Sequence, residues 1–294
     1  MTYAIYDERF YLNNNPDVRA VVAAGGFASG LEHFQKFGIQ EGRIAVSPLW
    51  NEQQYLAANP DVRNAVNAGF FRSGLQHFIL LGEAEGRGGV STIPSTAGFN
   101  EDYYLARYPE VGAAVAAGTF SSGLSHFIAA GRFENRQALF TGTSGNDIVT
   151  GVGPQNVITG VYLDIIANRG IPDSRPTSFG VGEVDLLVGG GGVDNFLLAS
   201  ERSANNPIAQ RFYVGRGNAD YAYIQNFTSG QDFIELAGRP NDYVQNSGSF
   251  AVTGNRASGV SISTNTGDLV ALVEGVESLQ LFQEDPNAGV FFLV

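Results

Sequence analysis

The second half of the chain repeats glycine and aspartate at intervals of nine residues. The segment from Gly189 to Leu197, GGGGVDNFL, has glycine at its first, second and fourth positions, aspartate at its sixth and phenylalanine at its eighth. Asp185 stands nine residues before Asp194. Nine residues suffice for a loop of about six and a strand of about three, and glycine admits the tight backbone shapes that such loops need. The spacing therefore predicts stacked glycine-rich loops joined by short parallel strands.

Further segments keep the same phase with imperfect matches. Glu183 replaces the usual glycine in one of them, and Asn156 replaces the aspartate in another. The apolar residue at the eighth position of a unit is expected to point into a narrow core, because side chains alternate along a strand. The segments are GTSGNDIVT at 142–150, GVGPQNVIT at 151–159, GVGEVDLLV at 180–188 and GRGNADYAY at 215–223. The core residues predicted in this way are Val149, Ile158, Leu187 and Phe196.

Successive loops are expected on alternate sides, so that every second loop stacks on the same side. One side then stacks three aspartate loops, and the other stacks an asparagine loop and two aspartate loops. The first side carries Asp147, Asp185 and Asp220, and the second carries Asn156, Asp194 and Asp232. Residues 160–179 and 199–210 are expected to be excursions from these stacks.

Calcium suits such loops, because it takes its ligands from carboxylates and backbone carbonyls. The first side has a carboxylate in every layer and Glu183 besides, so we expect the tightest calcium there, whereas Pro154 and Asn156 weaken the second side. A glycine-rich β-solenoid without metal is the alternative. A phosphate-binding P-loop is excluded, because no lysine follows the glycines. The predicted metal-site residues are Asp147, Gly180, Gly182, Glu183, Asp185, Gly189, Gly190, Gly192, Asp194, Gly215, Gly217, Asp220 and Asp232.

The first half of the chain repeats one unit of 38 residues three times, over 6–43, 50–87 and 99–136. Each copy has residues that are typical of the starts and ends of three short helices. An aromatic residue before the first cap and a tyrosine after it have the spacing of a hydrophobic staple. The caps of the first helix are Asp7, Asn51 and Asn100, the first-turn prolines of the second are Pro16, Pro60 and Pro109, and the caps of the third are Ser29, Ser73 and Ser122. The second helix is expected to end at Gly25, Gly69 and Gly118, and the third at Gly38, Gly82 and Gly131. The staples pair Tyr6 with Tyr11, Trp50 with Tyr55 and Phe99 with Tyr104.

The three histidines of the chain occupy the same place in the unit. A three-histidine metal site is one interpretation. A packing or hydrogen-bonding role is favoured, because each copy supplies one imidazole and no carboxylate stands at a fixed ligand spacing from it. Capping or inter-repeat pairing is likewise favoured over a ligand site for the acid and arginine that close a copy. The histidines are His33, His77 and His126, and the closing pairs are Glu41 with Arg43 and Glu85 with Arg87.

Both halves resemble known bacterial sequences. The pattern Y-L-x-x-N-P-D-V…G-L-x-H-F…G-x-x-E-G-R is similar to a repeat of exported and surface proteins that commonly stands beside calcium-binding repeats. The segments GVGEVDLLVGGGGVDNFLL and FYVGRGNADYAYIQNFTSGQDFIELAG resemble the hemolysin-type (RTX) calcium-binding domains of cyanobacterial exported proteins. Asn226 replaces the first aspartate of the family's I-x-D-F-x-x-G-x-D-x-I-x-L motif. The resemblance implies calcium as cofactor, export by type I (ABC) secretion machinery and an extracellular or cell-surface location.

The fold class that follows is a multidomain α+β protein. Residues 1–140 are expected to form an all-α array of three repeats, and residues 141–294 a parallel β-roll of the RTX kind with a β-rich end cap. The resemblance also implies a C-terminal secretion signal, for which the closing EDPNAGVFFLV has the acid-then-apolar character. The start of the chain lacks the basic and apolar regions of a cleavable signal peptide.

Charge and composition disfavour or exclude several classes of function. The net charge is −12, and residues 141–294 carry 16 acidic against 7 basic side chains, so binding of nucleic acid through its phosphates is disfavoured. No apolar run approaches the roughly 18 residues of a membrane span. The absence of cysteine removes disulfides and thiolate chemistry.

The function expected from these features is that of a secreted, calcium-binding structural or adhesive protein, such as a surface-layer, matrix or filament subunit. It would fold on calcium after export and would associate with itself or with cell-surface polysaccharide. A glycan-binding module that uses Tyr6, Trp50 and Phe99 is the first alternative. An extracellular hydrolase is the second and is disfavoured, because the chain has neither H-E-x-x-H nor G-x-S-x-G. We therefore expect no enzymatic activity.

Overall fold

The structure is a computed structural model, and it describes residues 3, 5–47, 50, 52–83, 85, 87, 98–120, 122–168, 171–203, 206–252 and 255–294. The chain divides into two compact units. One consists of Met1–Pro94 with Ser125–Gly131, and the other consists of Ser95–Leu124 with Arg132–Val294. None of the helices in the described ranges combines the length and the apolar character that crossing a membrane requires.

Each copy of the 38-residue unit forms three short helices, and the third helix continues for one turn with π-type hydrogen bonds. The first copy has α1 (Glu8–Asn14), α2 (Pro16–Ala23) and α3 (Gly30–His33), with the π turn at Phe34–Gly38. The second has α4 (Glu52–Ala58), α5 (Pro60–Asn67) and α6 (Gly74–His77), with the π turn at Phe78–Gly82. The third has α7 (Glu101–Arg107), α8 (Pro109–Ala116) and α9 (Gly123–His126), with the π turn at Phe127–Gly131.

Four of the predicted helix caps are confirmed. A side-chain oxygen of each cap accepts the amide of the third residue after it, which satisfies one of the free donors of the first turn. The caps seen in this way are Asp7, Asn100, Ser29 and Ser73. Gly25, Gly69 and Gly118 follow the second helices in the left-handed conformation, with φ of 77°, 79° and 77°. Asn51 lies outside the described residues.

The staples are formed as well, and they bury the aromatic rings. The ring centroids lie 5.2 Å apart for Tyr6 and Tyr11, and 5.0 Å apart for Trp50 and Tyr55. Phe99 and Tyr104 also lie 5.2 Å apart. All of these rings are buried, so each copy has a small aromatic core where its first helix begins.

In the first two copies, a tyrosine hydroxyl and a histidine side chain form a buried hydrogen bond. The Tyr11 hydroxyl lies 2.9 Å from His33 Nδ1, and the Tyr55 hydroxyl lies 2.8 Å from His77 Nδ1. These contacts confirm a hydrogen-bonding role for the two histidines. A Cβ added to Gly82 would lie 2.2 Å from the Tyr55 hydroxyl. The glycine that closes the third helix therefore leaves room for this hydrogen bond.

Charged side chains tie the ends of each copy together. The Glu52 carboxylate accepts the Gly74 and Leu75 amides at 2.5 and 3.0 Å, so it is a second cap on the third helix. Glu8 and Glu101 have the same role in the other two copies. The closing arginine pairs with an acid of the second helix and with the nearby glutamate, so these ion pairs lie within copies rather than between them. The pairs are Arg43 with Asp17 and Glu41, Arg87 with Asp61 and Glu85, and Arg136 with Glu110 and Glu134.

The strands in the described residues form two larger and two smaller sheets. They are β1 (Gly98–Phe99), β2 (Gln137–Thr141), β3 (Ile148–Thr150), β4 (Gln155–Thr159), β5 (Leu163–Asn168), β6 (Ile171–Pro176), β7 (Val184–Val188), β8 (Val193–Leu197), β9 (Ala199–Ser200), β10 (Gln210–Arg211), β11 (Tyr221–Gln225), β12 (Phe233–Ala237), β13 (Tyr243–Val252), β14 (Asn255–Thr264), β15 (Leu269–Glu274), β16 (Leu281–Asp285) and β17 (Val290–Leu293). The seven-stranded sheet has the order β1-β2-β4-β8-β12-β17-β16, and the six-stranded sheet has the order β13-β14-β15-β11-β7-β3. Strands β5 and β6 form one small sheet, and β9 and β10 form the other.

The expected architecture of an all-α repeat array followed by a parallel β-roll is wrong. The chain has a mixed α/β fold with nine short α-helices in its described residues. Both larger sheets combine parallel pairs with antiparallel ones, at β1, β16 and β17 in one sheet and at β13 and β14 in the other. The third helical copy also joins a sheet, because Phe99 of β1 pairs with Phe140 of β2. The nine-residue spacing ends near Asp232, and the longer strands that follow are joined closely enough to pair as antiparallel hairpins.

The sequence pattern places the core correctly within this fold. Val149, Ile158, Leu187 and Phe196 are fully buried, as predicted for the eighth position of each unit. The two expected excursions, 160–179 and 199–210, contain the strands β5, β6 and β9, which pair outside the two larger sheets.

The buried tyrosine–histidine contact generates a stability prediction. Tyr55→Phe removes the hydroxyl that reaches His77 and leaves a buried imidazole nitrogen without that partner. We expect a loss of about 1–3 kcal/mol in the free energy of unfolding, measured with denaturant. Tyr162→Phe is the control, because this tyrosine is exposed, and it should change the free energy little. Equal effects of the two variants would contradict the assigned role.

Candidate functional site

The strand pairing agrees with the stacking order predicted for the aspartate loops. Strand β7 pairs in parallel with β3 and β11 in the six-stranded sheet, and β8 pairs in parallel with β4 and β12 in the seven-stranded sheet. Asp147, Asp185 and Asp220 therefore belong to one sheet, and Asn156, Asp194 and Asp232 belong to the other. Apart from Asp147, which is almost as deeply buried, these aspartates have no exposed surface.

On the first side, Asp185 and Asp220 each accept an amide from the neighbouring loop. The Asp147 amide donates to Asp185 Oδ1 at 2.8 Å, and the Gly182 amide donates to Asp220 Oδ2 at 3.1 Å. Asp147 also closes its own loop, because its Oδ2 accepts the Thr143 amide at 2.6 Å. The carboxylates thus replace the hydrogen bonds that the loop amides would otherwise make with water. We call Asp147, Asp185, Asp220 and Asp268 the first-side ladder. Asp268 belongs to it because it accepts amide hydrogen bonds from Gly215 and Gly217.

The second side follows the same rule. The Asp194 amide donates to Asp232 Oδ1 at 3.0 Å, and the Thr228 amide closes the loop on Asp232 Oδ2 at 2.7 Å. Asn156 Nδ2 donates to Asp194 Oδ1 at 2.6 Å. The Asn156 side-chain amide therefore satisfies one oxygen of the Asp194 carboxylate. We call Asn156, Asp194 and Asp232 the second-side ladder.

Asp185 has both carboxylate oxygens engaged. Oδ1 accepts the Asp147 amide, and Oδ2 accepts the Tyr213 hydroxyl at 2.6 Å. Burial raises the pKa of Asp185 to about 6, although these two hydrogen bonds act in the opposite direction. Gly160 makes room for the contact, because a Cβ there would lie 2.1 Å from Asp185 Oδ2. Asp185 is therefore held as part of the scaffold.

Glu183 and Asp220 each have an oxygen that is buried and has no hydrogen-bond partner among the described residues. These atoms are Glu183 Oε2 and Asp220 Oδ1. The two residues are neighbours across strands, since Tyr221 pairs with Val184 and the Tyr221 amide donates to the Glu183 carbonyl at 3.1 Å. The pKa of Glu183 is raised by burial first and then by the charges of Asp185 and Asp147. A buried carboxylate oxygen without a donor is costly, so a cation would be stabilising at these two oxygens.

Calcium fits these two oxygens in chemical type. Both are hard anionic ligands, and calcium can complete its coordination with backbone carbonyls and water. Within the part of the chain that the structure describes, no group of three or more histidine, aspartate or glutamate side chains could hold a metal ion. A calcium ion at either of these oxygens would therefore need main-chain oxygens of the loops to complete its coordination.

The predicted loop glycines fall into two groups. Gly180, Gly182, Gly215 and Gly217 have positive φ, between 66° and 131°. Gly189, Gly190 and Gly192 do not, and their role is close approach. A Cβ on Gly192, for example, would lie 2.1 Å from the Pro154 carbonyl oxygen. The Gly192 carbonyl also accepts a hydrogen bond from the Gln231 side chain. The glycines of Gly189–Leu197, the segment that matches the nine-residue pattern best, therefore allow two layers to approach closely. The Gly192 carbonyl is already hydrogen-bonded within the protein.

Two residues that hydrogen-bond within the first side, Asp268 and Tyr213, were missed by the sequence reasoning. Asp268 accepts the Gly215 and Gly217 amides at 3.0 and 2.6 Å, and so extends the first-side ladder to β15. The sequence could have predicted Asp268, because Gly267 and Asp268 precede an apolar strand, as glycine and aspartate do in the other loops. Tyr213 has no such signal, because it follows an excursion without a period.

The aromatic residues proposed as a sugar platform cannot present their faces to a ligand. Tyr6, Trp50 and Phe99 are all buried against neighbouring rings. Glycan binding through these three positions is therefore not supported.

The chain matches no protein-family model and no curated protein.

The raised pKa of Asp185 generates a prediction on pH. Because this pKa lies above the ordinary value of 3.8, the folded protein binds the proton more tightly than the unfolded chain does. The resulting stability is fully present below pH 3.8 and is lost as the pH rises through about 6, by about 3 kcal/mol at pH 7. With chelator present, Asp185→Asn should remove this part of the dependence in denaturant unfolding between pH 4 and pH 7 (about the range of the two pKa values).

Asp102→Asn is the matched control, because Asp102 is an exposed residue of α7. It should leave the wild-type pH dependence unchanged. Parallel curves for wild type and Asp185→Asn would contradict the prediction.

Proposed function

We propose that this chain is a secreted, non-enzymatic structural or adhesive protein whose stacked loops bind calcium and become fully ordered by it. The observation that carries the proposal is the pair of buried oxygens on Glu183 and Asp220 that lack a hydrogen-bond partner among the described residues. Asp220 belongs to the first-side ladder, and Glu183 stands two residues before its member Asp185, so a positive charge would be stabilising there.

The described residues supply no compensating cation to the first side. No lysine or arginine nitrogen in the described ranges lies within 4.0 Å of a carboxylate oxygen of Asp147, Asp185 or Asp220. Hydrogen bonds from amides offset only part of the cost of burying a charge. A divalent cation would offset more of it, which makes calcium the best candidate.

The proposed calcium affinity is that of an extracellular module. Such sites have dissociation constants of about 10⁻⁴ to 10⁻³ M, so they are empty at cytosolic calcium and filled outside the cell. A site with a dissociation constant of about 1 mM adds roughly 1.4 kcal/mol of stability at about 10 mM calcium. This difference suits export of an unfolded chain by type I (ABC) machinery, which the resemblance to hemolysin-type proteins implies.

The adhesive part of the proposal is supported by apolar side chains that face solvent on the helical copies. Phe70 is 79% exposed and Phe133 is 67% exposed. Large exposed aromatic rings are typical of contact surfaces. We therefore propose self-association, or attachment to cell-surface polysaccharide, as the role of these copies at the cell surface.

Calcium should stabilise the second half of the chain. Addition of about 10 mM calcium to the chelated protein is expected to raise the midpoint of thermal unfolding by about 3–6 °C for one site. Circular dichroism and calorimetry measure the effect. Glu183→Gln combined with Asp220→Asn should abolish it, whereas Asp102→Asn should retain it. A protein that unfolds identically in calcium and in chelator would refute the calcium proposal.

Self-association should depend on the exposed rings. At about 5 mM calcium, light scattering is expected to detect assemblies that dissociate in chelator. Phe70→Ser combined with Phe133→Ser should reduce them. Ile208→Ser is the control, because Ile208 is 65% exposed but lies outside the helical copies. A strict monomer at this calcium concentration would contradict the assembly role and leave the calcium site to its own test.

A further inference from the structure

A cavity of about 330 Å³ lies on the seven-stranded sheet, on the face that carries Gln137, Val157 and Asn195. Helix α7 closes one part of it with Tyr103, and the segment after β8 closes another with Glu201. The cavity is separate from the two aspartate ladders, whose side chains lie on the opposite face of their strands. Its volume is at the lower end of the range for small-molecule sites.

Two polar side chains in this cavity are incompletely paired. Glu235 is 3% exposed, and its Oε1 has no hydrogen-bond partner among the described residues. Asn195 Nδ2 donates to Glu235 Oε2 at 2.9 Å, while Asn195 Oδ1 is buried and also lacks a partner in that part of the chain. Buried polar atoms are nearly always paired, so two such atoms on residues that line one cavity make it a candidate site for a ligand that supplies their partners.

The protonation state of Glu235 determines which hydrogen-bonding groups a ligand must have. Burial raises the pKa of Glu235 to about 8, with a smaller contribution from the charge of Glu201 and an opposing one from Asn195. The carboxyl is therefore mostly neutral at pH 7 and can donate a hydrogen bond. Asn195 Oδ1 is an acceptor beside it. A donor and an acceptor side by side match two neighbouring hydroxyl groups of one ligand.

The remaining walls combine polar and apolar side chains, with Arg107, Ser174 and Ser200 among the polar residues. Leu139, Leu163 and Leu197 line the cavity, together with the ring of Tyr103, whose hydroxyl is engaged with Gln137 Oε1 at 2.8 Å. A sugar ring combines hydroxyl groups on its edge with C–H groups on its faces. In this cavity, Glu235 and Asn195 can pair with the hydroxyl groups, and the leucines and the Tyr103 ring can pack against the C–H groups.

We propose that this cavity binds a neutral saccharide, with Glu235 and Asn195 holding two adjacent hydroxyl groups and Tyr103 and the leucines covering the ring. The inference is independent of calcium binding. It assigns polysaccharide recognition to the sheet face and not to the buried aromatic rings of the helical copies.

The test is a binding titration of the full chain with named probes. The neutral probes are glucose, galactose, mannose, N-acetylglucosamine, cellobiose and maltose, and the charged probes are glucosamine, glucuronate and spermidine. We expect at least one neutral sugar to bind saturably below about 50 mM in calorimetry or ligand-observed NMR. Hydrogen exchange of the wild-type protein should then slow in β8 and β12 and in residues 199–203, which locates the site without a variant.

Substitutions separate the assigned contacts. Asn195→Leu should weaken binding by about tenfold or more, and Leu197→Trp should abolish it by filling the cavity. Glu235→Gln should retain binding within about threefold, because an amide donates as the neutral acid does. Glu274→Gln is the matched control, since Glu274 accepts hydrogen bonds from Tyr223 and Gln225 on the other large sheet, and it should change nothing.

Three results would overturn the proposal. The first is that no neutral probe saturates. The second is that only a cationic probe binds and Glu235→Gln abolishes its binding, which would make this a cation site. The third is that a sugar binds but exchange protection falls outside β8, β12 and residues 199–203.

Discussion

The fold of the second half depends on buried carboxylates that accept amide hydrogen bonds from the neighbouring loop. Asp185 receives the Asp147 amide and Asp232 receives the Asp194 amide, in each case across 38 residues of sequence. These bonds fix the vertical register of loops that are too rich in glycine to fix it themselves. They also concentrate negative charge in a place that water does not reach, so the feature that aligns the layers makes their stability sensitive to protons and cations. Structure and proposed ligand binding therefore have one physical origin.

The helical copies use the same kind of interaction on a smaller scale. Glu52 caps the third helix of its copy, and Arg87 pairs with Asp61 across 26 residues. Short helices of four to eight residues are marginal alone, because nucleation costs more than a few hydrogen bonds return. Side chains that tie the start of a copy to its end offset part of this cost. Each copy is thus completed mainly by polar contacts within itself around an aromatic core.

The local features of this chain could be predicted from its sequence because they depend on short, periodic patterns. Asp7 and Ser73 as caps, Val149 and Leu187 as core residues and the division of the aspartates between two sheets all follow from spacing. The antiparallel ends of the sheets could not be predicted, because the period stops near Asp232 and pairing there depends on turn geometry. The contact of Tyr213 with Asp185 and the pair of Asn195 with Glu235 join segments separated by an excursion. No sequence period marks such contacts.

Agreement with the repeat pattern reports stacking, whereas the capacity to bind a ligand depends on which polar atoms the stack leaves unpaired. Gly189–Leu197 fits the nine-residue pattern at every position, yet Asp194 Oδ1 is satisfied by Asn156 and the Gly192 carbonyl by Gln231. The same segment contributes Asn195, whose buried Oδ1 has no hydrogen-bond partner among the described residues. A full match therefore reports that the backbone can stack closely, and it does not by itself consume every polar atom that a ligand would need. Glu183 stands where glycine is usual, and its longer side chain brings an oxygen that the stacked loops do not satisfy. Glu235 likewise stands among residues of β12 that are otherwise apolar. In a scaffold built from repeated units, binding capacity therefore arises where one unit carries a polar atom that its neighbours cannot pair.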